Sequence, residues 1–311
     1  MSLNSKSSIV KGRRQFVREA SILLAGLTLT SRARLKTLFV NNVAASKHTY
    51  LVGVSDLMIY KRQKIGAFKL TSEIGAQGVE VDMGGLGDRP SFASQLADAS
   101  VCKAYLEEAK AYGLKICSVA MTGFYAQSFA TRATWQTMIS DSLKTADRLG
   151  VKHLFLPLGI NSDLRRNPEL RPALVKRLKV AGHMAQEMGK VIGIETSLNA
   201  KAERAFLEEI GSGGIKSYFN FANAVEHGLD ISEELKVLGK ENICQIHCTN
   251  SDGVHLSKDP KVDLPGIKKT LDEMGWTGWL VLLRSRDQTN PKDVLYNFGS
   301  NTKYVRSVFQ G

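Results

Sequence analysis

The stretch VCKAYLEEAKAYGLKICSVAM, residues 101–121, holds the unit from which the chain is built. In its first half Val101, Tyr105, Leu106, Ala109 and Tyr112 fall near one face of a helix, with Lys103, Glu107, Glu108 and Lys110 elsewhere. Gly113 follows, where a helix stops most easily on a residue that tolerates a left-handed backbone. The chain then enters KICSVAM (115–121), a short apolar and β-branched run that reads as a buried strand.

The same beat runs from about Thr49 to the end. Further apolar runs are YLVGVS (50–55), GVEVDM (78–83), HLFLPL (153–158), VIGIET (191–196), KSYFNF (216–221), ICQIHC (243–248) and WLVLL (279–283). Several are almost continuously apolar, as parallel strands covered on both faces must be. Helical patterns over 135–149, 170–188 and 263–274 stop at Gly150, Gly189 and Gly275. Eight strands and about eight helices in βα order, with no Pro/Ser-rich linker, predict an α/β fold: one closed (β/α)₈ barrel over residues 46–311. A doubly wound sheet would place a Gly-rich loop after its first strand, but SDLMIYKRQK stands there, without G-x-G-x-x-G. GGLGDRP (84–90) lies after the second strand, lacks the lysine of a phosphate-binding loop and reads as a mobile loop.

Composition agrees. With 311 residues, 43% of them hydrophobic, the chain is too apolar for disorder and too mixed for a membrane bundle. Four cysteines do not make a disulfide framework. The net charge of +12 is concentrated at the start: residues 1–45 hold eight basic residues against Glu19 alone, leaving +5 for the rest. No basic stripe interleaved with aromatics appears, so no nucleic-acid partner is expected. The basic start reads as an address. Gly12-Arg13-Arg14-Gln15-Phe16-Val17-Arg18 resembles a twin-arginine export signal, followed by an apolar stretch from Ala20 to Thr30 that is too short to span a bilayer. Val43-Ala44-Ala45 offers a cut before Ser46, although Arg32, Arg34 and Lys36 interrupt the run. Residues 1–45 are thus expected to direct export to a bacterial periplasm, leaving no membrane span after removal; an unused signal would leave the protein cytoplasmic. Oligomeric state stays open.

A barrel of this type carries its site at the C-terminal ends of its strands. The polar residues there are Glu80 and Asp82, Glu195, Asn220 and His247. A carboxylate inside an apolar run costs several kcal/mol unless paired, so Glu195 and His247 are expected to meet. A carboxylate with an imidazole suits Mn, Zn, Co or Fe, and equally a plain hydrogen-bonded pair. Arg89, Arg284 and Arg286 are candidates to grip a phosphate or carboxylate, or to pair with Asp88 or Asp287. Asn223 and His255 complete the candidate substrate-binding set. His153, Trp276 and Trp279 start strands, so structural roles at the barrel's other end are expected; His183 and His227 read as surface groups. Cys244 and Cys248, four apart on one strand, can neither bridge nor close a zinc tetrahedron.

The ordered set GVEVDMGGLGDRPSF, IGIETS, KSYFNFANAVEHG, ICQIHCTNSDGVHL and GWTGWLVLLRSRD resembles the xylose-isomerase-like sugar phosphate isomerase/epimerase superfamily across most of 49–290. The resemblance implies a (β/α)₈ barrel with a divalent metal held by Glu, Asp, His and Glu on strands five to eight. It implies Glu195 and His247 as catalytic and metal-binding residues. Asn220 stands where the family commonly has Asp, and Leu283 where it has Glu. The implied protein is a sugar isomerase/epimerase-type enzyme with an altered metal site, acting on a carbohydrate or sugar acid by proton or hydride transfer next to a carbonyl. The alternatives are a catalytically silent carbohydrate-binding barrel and, third, a lyase/dehydratase or endonuclease-type member.

Overall fold

A computed structural model describes residues 50–311. The export segment expected over 1–45 lies outside the described residues. Eight parallel strands close on themselves in chain order: β1 (Tyr50–Ser55), β2 (Gly78–Asp82), β3 (Lys115–Ala120), β4 (His153–Pro157), β5 (Val191–Glu195), β6 (Ile215–Asn220), β7 (Ile243–His247) and β8 (Gly278–Leu282). β8 closes on β1 through Tyr50 opposite Gly278 to Val54 opposite Leu282. Each apolar run read from the sequence is one of these strands.

The α-helices are α1 (Gly66–Ile74), α2 (Ala99–Ala111), α3 (Trp135–Arg148), α4 (Arg171–Glu187), α5 (Ala200–Ile210), α6 (Phe221–Glu226), α7 (Ile231–Leu238), α8 (Leu264–Met274) and α9 (Val294–Phe309). Their apolar faces cover the sheet; α3, for example, buries Met138, Ile139, Leu143 and Ala146. The described residues hold one helix more than the expected count, because two short helices, α6 and α7, link β6 to β7.

Inside the barrel, large side chains sit against small ones. Tyr218 fills the centre because Gly193 leaves room: a Cβ there would lie 2.9 Å from the Tyr218 ring and 2.5 Å from Cys244 Sγ. Trp279 likewise uses the space at Gly78, where a Cβ would come within 2.6 Å of the indole. Register slips in the β2–β3 and β6–β7 pairings skip Cys117 and Cys244. Both then pack in the cluster of Ala120, Phe155, Tyr218 and Val281. All four cysteines are free thiols.

The end where strands begin is structural, as expected. Gln245 links its amide to His153 Nδ1 at 3.1 Å and to the Cys117 carbonyl at 2.9 Å. Burial pushes the His153 pKa down to about 4, so it stays neutral. Trp276 donates to the Ile243 carbonyl at 3.1 Å. No helix among the described residues is long and apolar enough to cross a membrane.

Candidate functional site

The strand ends open into a cleft of about 400 Å³ whose lining includes Tyr125, Glu195, Asn220, Asn223, Leu283 and Arg284. A cavity of similar volume, about 410 Å³, lies at the other end between α1 and α9. It contains no strand-end residue, so the first is the candidate site.

Glu195 ends β5 at the floor of this cleft and is 6% exposed. Three donors hold it. The Tyr125 hydroxyl donates to Oε1 at 2.7 Å, the Asn220 amide donates to Oε2 at 2.8 Å, and His247 Nδ1 lies 3.0 Å from Oε2. The expected meeting of Glu195 and His247 is therefore present. His247 is fully buried, and its other ring nitrogen, Nε2, faces Glu80 Oε2 at 3.5 Å. Glu80 Oε2 also accepts from Ser118 at 2.8 Å and from the Tyr218 hydroxyl at 2.9 Å. An imidazole thus sits between two buried carboxylates, with the Tyr218 ring 4.1 Å away and the Phe155 ring 4.5 Å away, centroid to centroid.

Electrostatics follows from this sandwich. Burial works against a charge on His247, but Glu80 and Glu195 outweigh it and push its pKa up to about 9. Burial works to raise the Glu195 carboxyl, yet His247, with Tyr125 and Asn220, more than offsets it, and the pKa falls below the usual value. Burial and the neighbouring Glu195 hold Tyr125 in its phenol form, well above its ordinary pKa. At neutral pH the site presents an ionised carboxylate, backed by an imidazolium that is shielded from the cleft.

The side chains present do not compose a four-ligand metal centre. Asn220 has one side-chain oxygen, and it accepts from the Ala222 amide at 2.9 Å, capping α6. Its amide nitrogen is what faces Glu195. Leu283 supplies no donor and is 5% exposed in the cleft wall. No group of three or more His, Cys, Asp or Glu with metal-binding geometry occurs among the described residues.

The other sequence candidates separate into two sets. Asn223 and Arg284 line the cleft. Asn223 donates to the Thr196 carbonyl at 2.9 Å, and Arg284 is part-exposed. Glu80 lies inside the barrel behind His247 rather than at the mouth. Asp82 is buried and spent on the loops: it pairs with Arg62 at 2.5 Å, accepts from the Gly84 amide at 2.7 Å and binds Thr122. His255 is buried and bonded to Asn297 Oδ1 of α9 at 2.9 Å. Arg89 is exposed on its loop, and no ion pair joins it to Asp88 among the described residues. Arg286 pairs with Asp252 at 2.7 Å, not with Asp287.

Two further residues, His227 and Tyr125, belong to the cleft. His227, read as a surface group, lines the cleft, its Nδ1 2.6 Å from the Asn223 carbonyl; His183 is exposed as expected. Tyr125 stands five residues past the end of β3, beyond the strand-end positions that the apolar runs mark in the sequence, and reaches Glu195 only through the fold.

Comparison with known proteins gives the same architecture. A search of curated sequences finds no match. Among solved structures, D-psicose 3-epimerase with D-fructose superposes with a TM-score of 0.65 at 12% identity, covering 84% of this chain and 100% of that one. The 3-keto-D-glucoside 4-epimerase YcjR from E. coli gives 0.64 at 15%, covering 83% and 99%. D-allulose 3-epimerase from Methylomonas sp. gives 0.62 at 13%, covering 85% and 99%. At such identities the likeness establishes the fold. A family model for the xylose isomerase-like TIM barrel matches residues 68–298. With the model matching most of the chain and the strands closing in order around a mouth that holds Glu195 and His247, the chain belongs to the xylose isomerase-like TIM barrel family.

Proposed function

We propose that the chain is a sugar isomerase-type enzyme in which Glu195 alone moves the proton beside the carbonyl of a carbohydrate or sugar acid, without the family's four-ligand metal. The carrying observation is the Glu195 carboxylate at the cleft floor, held ionised by His247 and aimed by Tyr125 and Asn220. Substrates of the structural neighbours support the carbohydrate class. Epimerisation needs proton-handling groups on both faces of one carbon. The β8 side of this cleft offers Leu283 instead. A one-sided reaction fits better: one carboxylate takes the proton from the carbon beside the carbonyl and returns it to the former carbonyl carbon from the same side, while the proton of the adjacent hydroxyl passes to the former carbonyl oxygen through the enediol.

The test is exchange in D₂O with a panel of aldoses, ketoses and keto sugar acids. The native chain should incorporate deuterium beside the carbonyl, and Glu195→Gln should lower the rate by about 10²–10⁴-fold, the range for a positioned acid–base group. Exchange that survives in Glu195→Gln removes the assignment. A second reading, a catalytically silent carbohydrate-binding barrel, is favoured by one observation: both Glu195 oxygens already accept hydrogen bonds. Tight sugar binding without any exchange would select it.

A further inference from the structure

Past β8 the backbone is held in an unusual shape. Ser285 is fully buried and has φ of 77°, a left-handed conformation that non-glycine residues seldom adopt without being held there. Its hydroxyl accepts from the Asn250 amide at 3.0 Å, and its carbonyl accepts from Asn301 Nδ2 at 2.7 Å. The Arg284 amide donates to the Thr249 hydroxyl at 2.9 Å. This lock brings Arg284, next to Leu283, to the lining of the cleft.

The guanidinium that results is under-used. Among the described residues the one hydrogen bond of its side chain is a long one, Nη2 to Glu226 Oε1 at 3.4 Å. The two side chains are 32% and 42% exposed. Its charge is felt at the Tyr125 phenol, beside Glu195. A planar fork with most of its donors unspent, at the mouth of a carbohydrate-sized cleft, suits a carboxylate that binds both arms at once.

We propose that Arg284 forms a subsite for a substrate carboxylate, so that the cleft takes sugar acids in preference to the matching neutral sugars. This rests on the carbohydrate reading above and narrows its substrate class. The charge around the cleft favours a monoanion over a phosphate dianion. Arg166 and Arg284 are countered there by Asp163, Glu195 and Glu226, and Arg166, largely exposed, already faces Asp163 at 3.7 Å. The incoming carboxylate displaces only the long, exposed contact of Arg284 with Glu226, which keeps the Ser251 hydroxyl as its donor.

Calorimetric binding to the full chain at low salt tests this with D-glucuronate against D-glucose, D-galacturonate against D-galactose, and D-glucose 6-phosphate. At least one uronate should bind tenfold or more tightly than its neutral partner. Arg284→Gln should bring that ratio close to one, and Glu226→Gln, which frees the guanidinium, should raise uronate affinity severalfold. Equal binding of acid and neutral sugars, a preference retained in Arg284→Gln, or tighter binding of the 6-phosphate would each overturn the subsite. Because no turnover is needed, neutral and acidic sugars binding equally defeats the subsite alone. An absence of binding by every sugar defeats the carbohydrate reading with it.

Discussion

The two sides of the barrel mouth are made of opposite chemistry. On the side of β5, β6 and β7, Glu195 is hydrogen-bonded to Tyr125, Asn220 and His247, and His247 in turn faces the buried Glu80, which accepts from the Tyr218 hydroxyl. On the β8 side the equivalent strand end carries Leu283, buried against the cleft, with charge returning only at Arg284. The polar side can hold a charge in a dry place because each charged group has an opposite partner and nearby donors. The apolar side needs no such support. The two sides therefore differ in the donors they offer: carboxylate and imidazole on one, a hydrocarbon wall on the other.

The sharpest way to break that comparison is to remove the imidazolium. His247→Ala should leave Glu80 and Glu195 buried without their shared partner and cost about 3–5 kcal/mol, as breaking a buried ion pair does, measured by urea unfolding. A loss under about 1 kcal/mol, the scale of an exposed pair, would mean that the network does not depend on its central charge.

Next in size is pH. The His247 pKa rises from 6.5 to about 9 on folding, so its contribution is fully present below pH 6.5 and is lost as pH climbs through 9. The native chain should therefore lose about 3 kcal/mol more than His247→Gln between pH 6 and pH 9.5. Parallel losses in the two proteins would show that His247 is neutral in the fold. Glu195 works in the other direction: its lowered pKa gives a contribution present above pH 4.5 and lost as pH falls below it.

The third test makes the two sides alike. Asn220→Asp with Leu283→Glu places a carboxylate at both positions. Mn²⁺ affinity by calorimetry should rise tenfold or more over the native chain, about 1.4 kcal/mol, and Mn²⁺ should raise the melting temperature of the variant only. Equal affinity in both proteins would show that metal binding does not depend on these two positions.

Much of this was legible in the chain. The alternation of apolar runs with Gly-stopped helical stretches marks all eight strands, because burial on two faces leaves a local signature that needs no distant partner to be read. Glu195 and His247 stood out for the same reason, as polar residues inside apolar runs. Candidates failed where a partner from elsewhere decides the role. Asp82 looked like Glu195 in sequence, but Arg62 and Thr122 claim it. His255 is claimed by Asn297, and Arg286 by Asp252 rather than the adjacent Asp287. Glu80 reads as a strand-end ligand, yet it sits beneath His247 because the Tyr218 hydroxyl, 138 residues away, reaches across the barrel to meet it.

The sequence by itself determined the barrel and the strand ends that bear its polar residues. These follow from local composition and spacing. Only the tertiary structure decided how the remaining groups are used: that Asn220 turns its oxygen to a helix and its nitrogen to Glu195, that His247 is shared by two carboxylates, and that a left-handed Ser285 brings Arg284 to the cleft. A buried group's charge is set by neighbours that converge from strands far apart in the chain, and that convergence exists only once the barrel has closed.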